Sequence, residues 1–388
     1  MNICDKFPKS YQLIFIYVNK CVNESSRGVY LKVIREHMIK GQDMGKFPKG
    51  FLIFLLICYI VMIIIGIMGS SFVIFAIMKN KSLRTARNMF ILNLAITDLV
   101  LCTFTQPFNI FRLLSYHKEW IFGSLMCKLV GLITGTNVCV STISITAIAI
   151  DRYQVILHPT KPSLNIRGAI KIMFLIWIVS IILASPLLAF LKVESAPTPF
   201  GSLSKCTEYT TIPKIRTLKL SYSILALIIL YLLPMSIVSL TYIRIFLKLK
   251  ERLKIKMLIS SEQSNNVILA KDSYPSFALN AKHRCNIRRQ KKTNILLLCI
   301  AILFAISWLP LNLSNMIMDM NLVQRKSAFI SNGREKGRSF TGKFALIIQS
   351  ICLLFVLTSA CVNPILYGWL NENFHVEFKR LFNKIFKK

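Results

Sequence analysis

The chain has 388 residues, 54% of them hydrophobic and only 17% charged, yet 49 Lys and Arg against 16 Asp and Glu leave a formal net charge of +33. That apolar share exceeds an ordinary soluble domain's, so the charges must crowd outside long apolar runs. A nucleic-acid binder carries such charge on a soluble face; the composition instead describes a membrane protein with basic loops and no nucleic-acid partner.

A membrane helix needs about 20 mostly apolar residues, and seven segments qualify: Phe51 to Met78, Met89 to Phe111, Phe122 to Ile150, Ile172 to Leu191, Leu220 to Phe246, Asn294 to Met318, and Phe344 to Leu370. The expected fold is therefore all-α, a seven-transmembrane helix bundle over residues 51–370. An N-terminal segment, 1–50, precedes it and a short tail, 371–388, follows. Tyr11 to Val18 is apolar but short, with no small-residue cleavage site after it, so the first span is expected to act as its own insertion signal.

An odd number of spans puts the termini on opposite sides. Lys and Arg number 26 on the side of the C-terminus and 22 on the other, but nine of the 22 lie in the N-terminal segment. Charges near short loops weigh most in the positive-inside rule, which favours a cytoplasmic C-terminus. Asn23, in the sequon Asn23-Glu24-Ser25, would then be an extracellular glycosylation site.

Span two carries Asp98, the only acid inside any span. A carboxylate at the bilayer centre costs at least roughly 2.5 kcal/mol, so it calls for a partner or a wet cavity. Asn137 and Ser141 on span three, and Ser359 and Asn363 on span seven, are pairs spaced one helical turn apart at comparable depth. Such a cluster of oxygens could hold a sodium ion.

Span three begins near Cys127 and ends at Asp151-Arg152-Tyr153, an acid beside an arginine that reads as a pair able to switch. Cys206 follows in the loop between spans four and five. Cys127 and Cys206 share the oxidising side and are expected to pair; Cys4 and Cys21 share that side as well. Six other cysteines lie inside spans, where they read as small apolar residues. Pro107, Pro186, Pro234, Pro310 and Pro364 interrupt spans two, four, five, six and seven, each removing a helix bond and permitting a kink. In the tail, Phe374, Phe378, Leu381, Phe382 and Ile385 recur at helical spacing with lysines between, the pattern of an amphipathic helix lying on the inner leaflet.

Over Phe51 to Lys388 the chain resembles a rhodopsin-like (class A) G-protein-coupled receptor. The motifs that carry the resemblance run from Leu94-Ala95-Ile96-Thr97-Asp98 through Cys127, Asp151-Arg152-Tyr153, Trp177, Pro234 with Tyr242, and Phe304 with Trp308-Leu309-Pro310 to Asn363-Pro364-Ile365-Leu366-Tyr367. The resemblance implies that Phe304 and Trp308 relay ligand binding, that Arg152 meets a heterotrimeric G protein, and that Tyr242 and Tyr367 support the active state. Lys118 to Gly123, Trp308 to Leu311 with Asn315 and Asp319, and Tyr367 to Phe374 are most similar to neuropeptide Y and neuropeptide F receptors. That likeness implies an amidated peptide ligand whose arginine meets Asp319 beside Asn315, with Gln106, Thr134 and Glu208 completing the candidate ligand set. It also implies a G protein of the inhibitory class.

Ser70, Thr134 and Gln290 depart from the family's usual asparagine, glutamine and acid, and Asn321 to Lys343 is long and basic for an outer loop. The seventh span lacks the lysine a retinal receptor needs, Thr134 replaces the aspartate of amine receptors, and Asn312 and Asn315 are neutral where nucleotide receptors are basic. A receptor for another small extracellular ligand is the alternative. Two rivals remain: a transporter would show paired interrupted helices in repeated halves, and a metal-dependent intramembrane enzyme would need ligands within the bundle. No repeat is visible, and all five histidines fall outside the spans.

Overall fold

The structure is a computed structural model and describes residues 49–114, 120–160, 164–198, 201–208, 212–266, 294–320 and 340–370, with scattered residues of the two terminal segments and the loops (18, 21–24, 27–28, 162, 292, 374–377, 379–380 and 383). Among the described residues, seven helices are long and apolar enough to cross a membrane: α1 (Gly50–Lys79), α2 (Ala86–Phe111), α3 (Gly123–Leu157), α4 (Ile166–Phe190), α5 (Lys214–Arg252), α6 (Asn294–Met320) and α7 (Ile347–Trp369). They match the seven apolar segments in order. In the most apolar stretch of each helix, 67% of residues are buried in α2 and 56% in α3 and α7, against 17% in α1 and α4. The central helices carry the polar motifs. The peripheral ones turn large apolar side chains such as Phe54, Ile57 and Phe174 outward, a surface that only lipid accommodates.

Helix ends follow local chemistry. The Thr85 hydroxyl accepts from the Asn88 amide at 3.3 Å and caps α2; the Asn165 side chain accepts from the Gly168 amide at 2.7 Å and caps α4. Several helices outrun the apolar segments, and two of these extensions carry site residues. α3 continues to Leu157 and keeps Asp151-Arg152-Tyr153 helical, while Pro213, whose missing amide costs nothing in a first turn, starts the fifth helix ahead of Leu220. That early start places Lys219 on the helix rather than in the loop.

The prolines act in different ways. Pro107 and Pro234 are each preceded by a π-helical stretch, Leu101–Thr105 and Ile228–Leu232, which absorbs the lost bond. Pro186 breaks α4 into a turn, and the Ile182 carbonyl it would have paired accepts from Ser185 Oγ at 2.8 Å instead. Pro310 and Pro364 sit within continuous helix.

The helical bundle is as expected, and the connection between α4 and α5 adds a β-hairpin to it: β1 (Leu191–Thr198) pairs antiparallel with β2 (Gly201–Glu208). Cys206 on β2 is bonded to Cys127 at the start of α3, 79 residues earlier. The Trp120 amide donates to Ser204 O at 2.7 Å, and its indole packs edge-on against Phe111 and Phe122. The Trp120 indole N–H also donates to Gly123 O at 2.8 Å, and Gly123 turns the chain into α3 with φ of +71°, a conformation a side chain would strain. Below the hairpin, a Cβ on Gly131 would meet Leu191 at 2.0 Å and one on Gly135 would meet Leu187 at 2.5 Å. These two glycines, one turn apart, let the hairpin and the end of α4 close on α3.

In the core, Trp177 Nε1 donates to Asn93 Oδ1 at 2.9 Å, and Asn93 Nδ2 donates to Ser144 Oγ at 2.8 Å, tying α4, α2 and α3 together. Tyr59 donates to the Ser350 carbonyl, joining α1 to α7. In the tail, Phe374 is fully buried with its ring 6.2 Å from that of Tyr367; Phe378, Leu381, Phe382 and Ile385 lie outside the described side chains, as do Cys4, residues 321–339 and Gln290.

Candidate ligand-binding site and switch residues

Two cavities lie one above the other in the bundle. The larger, ≈ 520 Å³, opens at the disulfide end between α3, α5, α6, α7 and the hairpin. Its walls include Thr134, Glu208, Asn315 and Asp319 from the expected ligand set, together with Asn109, Asn312, Tyr222 and Gln349. Gln106 does not belong there: it is 1% exposed and absent from the cavity wall. The π-helical stretch ahead of it advances the register of α2, and Asn109, three residues on, reaches the cavity instead. The Thr134 hydroxyl is turned to its own helix, donating to the Val130 carbonyl at 2.7 Å.

Asp319 is not a free acceptor. Lys219 Nζ lies 2.5 Å from Oδ1, and Ser223 Oγ donates to Oδ2 at 2.7 Å. The same ammonium donates to Glu208 at the end of β2. A single lysine thus joins α5, α6 and the hairpin, and both acids expected to attract a ligand cation converge on it. Sequence reasoning missed the polar wall residues Asn109, Tyr222 and Gln349 and, with more consequence, the two partners of Asp319, Lys219 and Ser223. The available signal was their spacing of four, which places both on one helical face, but Lys219 precedes the apolar run and reads as loop.

The smaller cavity, ≈ 10 Å³, holds about one water-sized body. Asp98, Asn137, Ser141, Ser359 and Asn363 all line it, so the sequence-derived cluster is assembled. Its internal bonds differ from the simplest expectation. Asn363 Nδ2 donates to Asp98 Oδ2 at 3.0 Å, whereas Ser141 Oγ donates to Thr97 Oγ1 at 3.1 Å and Asn137 Nδ2 donates to Thr105 Oγ1 at 3.3 Å. Threonines on α2 therefore take the α3 donors, leaving the carboxylate with one neutral amide. The Asn363 Oδ1 atom is buried without a partner.

Trp308 lines both cavities, forming the floor of one and a wall of the other. Phe304, one turn away, packs against it at 6.1 Å between centroids and lines the lower cavity. Pro310 sits just above them, where α6 has lost a backbone bond.

At the opposite end of α3, Arg152 is ion-paired with its neighbour Asp151, and the Tyr153 ring packs edge-on to His158. Tyr242 and Tyr367 are both buried, and the Tyr367 hydroxyl has no partner. Pro364 follows Asn363 and packs into the space left by Gly69 on α1. Asn23 is exposed.

The family model described as "7 transmembrane receptor (rhodopsin family)" matches residues 69–367. The chain is 39% identical to the neuropeptide F receptor of Drosophila melanogaster over 331 residues, 83% of this chain and 61% of that one, so it spans about three-fifths of that receptor's length. It is 31% identical to neuropeptide Y receptor type 2 of Homo sapiens and 32% identical to that of Macaca mulatta, covering 84% of this chain and 76% of each relative. With seven membrane-spanning helices, the disulfide-pinned hairpin and the motif residues all in place, the chain belongs to the rhodopsin-family seven-transmembrane receptors, multi-pass membrane proteins that are receptors rather than enzymes.

Proposed function

We propose that the protein is a plasma-membrane receptor for a C-terminally amidated neuropeptide, with its N-terminus outside and its Asp151-Arg152-Tyr153 end facing a heterotrimeric G protein of the inhibitory class. The observation that carries this reading is the ≈ 520 Å³ cavity with Glu208 and Asp319 gathered at its mouth. In a chain of net charge +33, two acids set together over an open cavity mark a place for a ligand cation. The relatives' own names, neuropeptide F receptor and neuropeptide Y receptor, support a peptide. A peptide arginine at Asp319 and an amide contact at Asn315 fit the spacing of those residues, one turn apart on α6.

The geometry suggests how binding reaches the far end. A ligand filling the upper cavity presses on Trp308. Because Trp308 and Phe304 also wall the lower cavity, a shift of α6 about Pro310 alters the surroundings of Asp98 and Asn363. Asn363 lies one turn before Tyr367, so the disturbance passes down α7 toward the end where Arg152 is held by Asp151. Release of that pair frees Arg152 for the G protein.

A sodium ion belongs to the same reading. The donor set of Asp98, Ser141, Ser359 and the unpartnered Asn363 Oδ1 suits a small hard cation, and it would supply the charge Asp98 lacks in the resting state. Asn23, exposed in the N-terminal segment, is the proposed glycan acceptor.

The test is a panel of peptides ending in Arg-Phe-amide or Arg-Tyr-amide, with free-acid counterparts, applied to cells expressing the receptor while nucleotide exchange on the G protein and cyclic AMP are recorded. Activation by amidated peptides with a fall in cyclic AMP is the expected result. A response confined to non-peptide ligands would overturn it.

A further inference from the structure

Two carboxylates and one ammonium meet at the mouth of the upper cavity, so the cluster of Asp319, Glu208 and Lys219 carries one formal negative charge. Its members are unequally placed. The side chains of Asp319 and Lys219 are 5% and 8% exposed, while that of Glu208 is 40% exposed. The deeper acid is thus covered by a cation of the protein itself, and the shallower acid shares that cation.

We infer that Lys219 is a specificity-determining residue, an internal cation that holds the Asp319 carboxylate until a ligand guanidinium takes its place. This rests on the reading of Asp319 as the acceptor of the ligand's cationic side chain. Exchange keeps every charge matched: the guanidinium takes Asp319, and Lys219 stays with Glu208, which it already touches. Two anions then face two cations, where the unliganded cluster has one negative charge in excess.

Exchange also favours arginine over lysine in the ligand. A tethered ammonium competes at high effective concentration, and a ligand ammonium offers Asp319 nothing that Lys219 does not. A guanidinium presents a planar fork to both carboxylate oxygens. Only the guanidinium has a geometric advantage over the group it replaces.

Binding of a labelled Arg-Phe-amide peptide and of its Lys-Phe-amide analogue to membranes carrying four forms of the receptor tests this. In Glu208→Gln the displaced ammonium loses its alternative partner, so affinity for the arginine peptide should fall by about tenfold or more, even though Asp319 is intact. Adding Lys219→Met to Glu208→Gln leaves Asp319 unopposed; affinity should return to the wild-type level or beyond, and the preference for arginine over lysine should shrink. That pair keeps the cluster at one negative charge, which avoids the repulsion between two uncompensated acids in Lys219→Met alone. A double variant that binds no better than Glu208→Gln would overturn the inference, since a purely structural lysine cannot rescue by its removal. Arginine peptide that binds Asp319→Ala as tightly as wild type would overturn the underlying reading, and the inference with it.

Discussion

Asp319 and Asp98 are both nearly buried acids, 4% and 8% exposed, and the protein treats them in opposite ways. Asp319 receives a lysine and a serine from the neighbouring helix. Asp98 receives one amide, from Asn363, and among the described residues it forms no ion pair. The first sits beside an open cavity wide enough for part of a peptide; the second borders a space for one water-sized body. An acid meant to exchange partners with a large ligand needs a counter-ion in the meantime, because an unpaired buried charge is costly. The other, met by a single neutral amide, is where the sodium ion is proposed. Trp308 borders both cavities and lies between the two acids' surroundings.

The severest break in that comparison comes from the hairpin. Cys206→Ser frees β2 and with it Glu208, and losing a bridge of this separation costs roughly 2 to 5 kcal/mol. Surface expression or peptide binding should be abolished, as radioligand binding on intact and permeabilised cells would report; normal binding would mean that the hairpin holds without its bond. Next, Asp319→Ala removes the upper acid alone. Peptide affinity should drop by on the order of 2 to 5 kcal/mol, the scale for truncating one partner of a buried charge pair, measured by competition binding.

Asp98→Asn tests the lower acid. Sodium should no longer shift agonist affinity, erasing a coupling of about 1 to 3 kcal/mol. Peptide affinity without sodium should change far less than in Asp319→Ala. Titration of agonist binding against sodium and against an impermeant larger cation separates the two, and an unchanged sodium effect would remove the ion from the lower cavity. The smallest expected effect is at Asn315→Ala, where loss of a neutral hydrogen bond to the peptide should cost about 1 kcal/mol. A cost as large as that of Asp319→Ala would show that the amide, and not the charge, anchors the ligand.

The number and order of the spans, Asp98 as a buried acid in the middle of a span, and the pairing of Cys127 with Cys206 were all legible in the residues. Each depends on something local: an apolar run of sufficient length, a charge within it, a thiol on the oxidising side. Membrane helices make such readings dependable because the backbone must satisfy itself within each span. What could not be read there was how neighbouring helices share their polar groups. Gln106 was misplaced because the π-helical stretch Leu101–Thr105 shifts the face that follows it. Asn137 and Ser141 line the lower cavity with Asp98 but donate to Thr105 and Thr97 instead. Lys219 was assigned to a loop by hydropathy, whereas Pro213 begins the helix early enough to carry it against Asp319, 100 residues away. Sequence determined which groups the membrane must conceal; only the packed bundle decided which partner each one found, because that choice depends on helix rotation and separations of an ångström or two between segments distant in the chain.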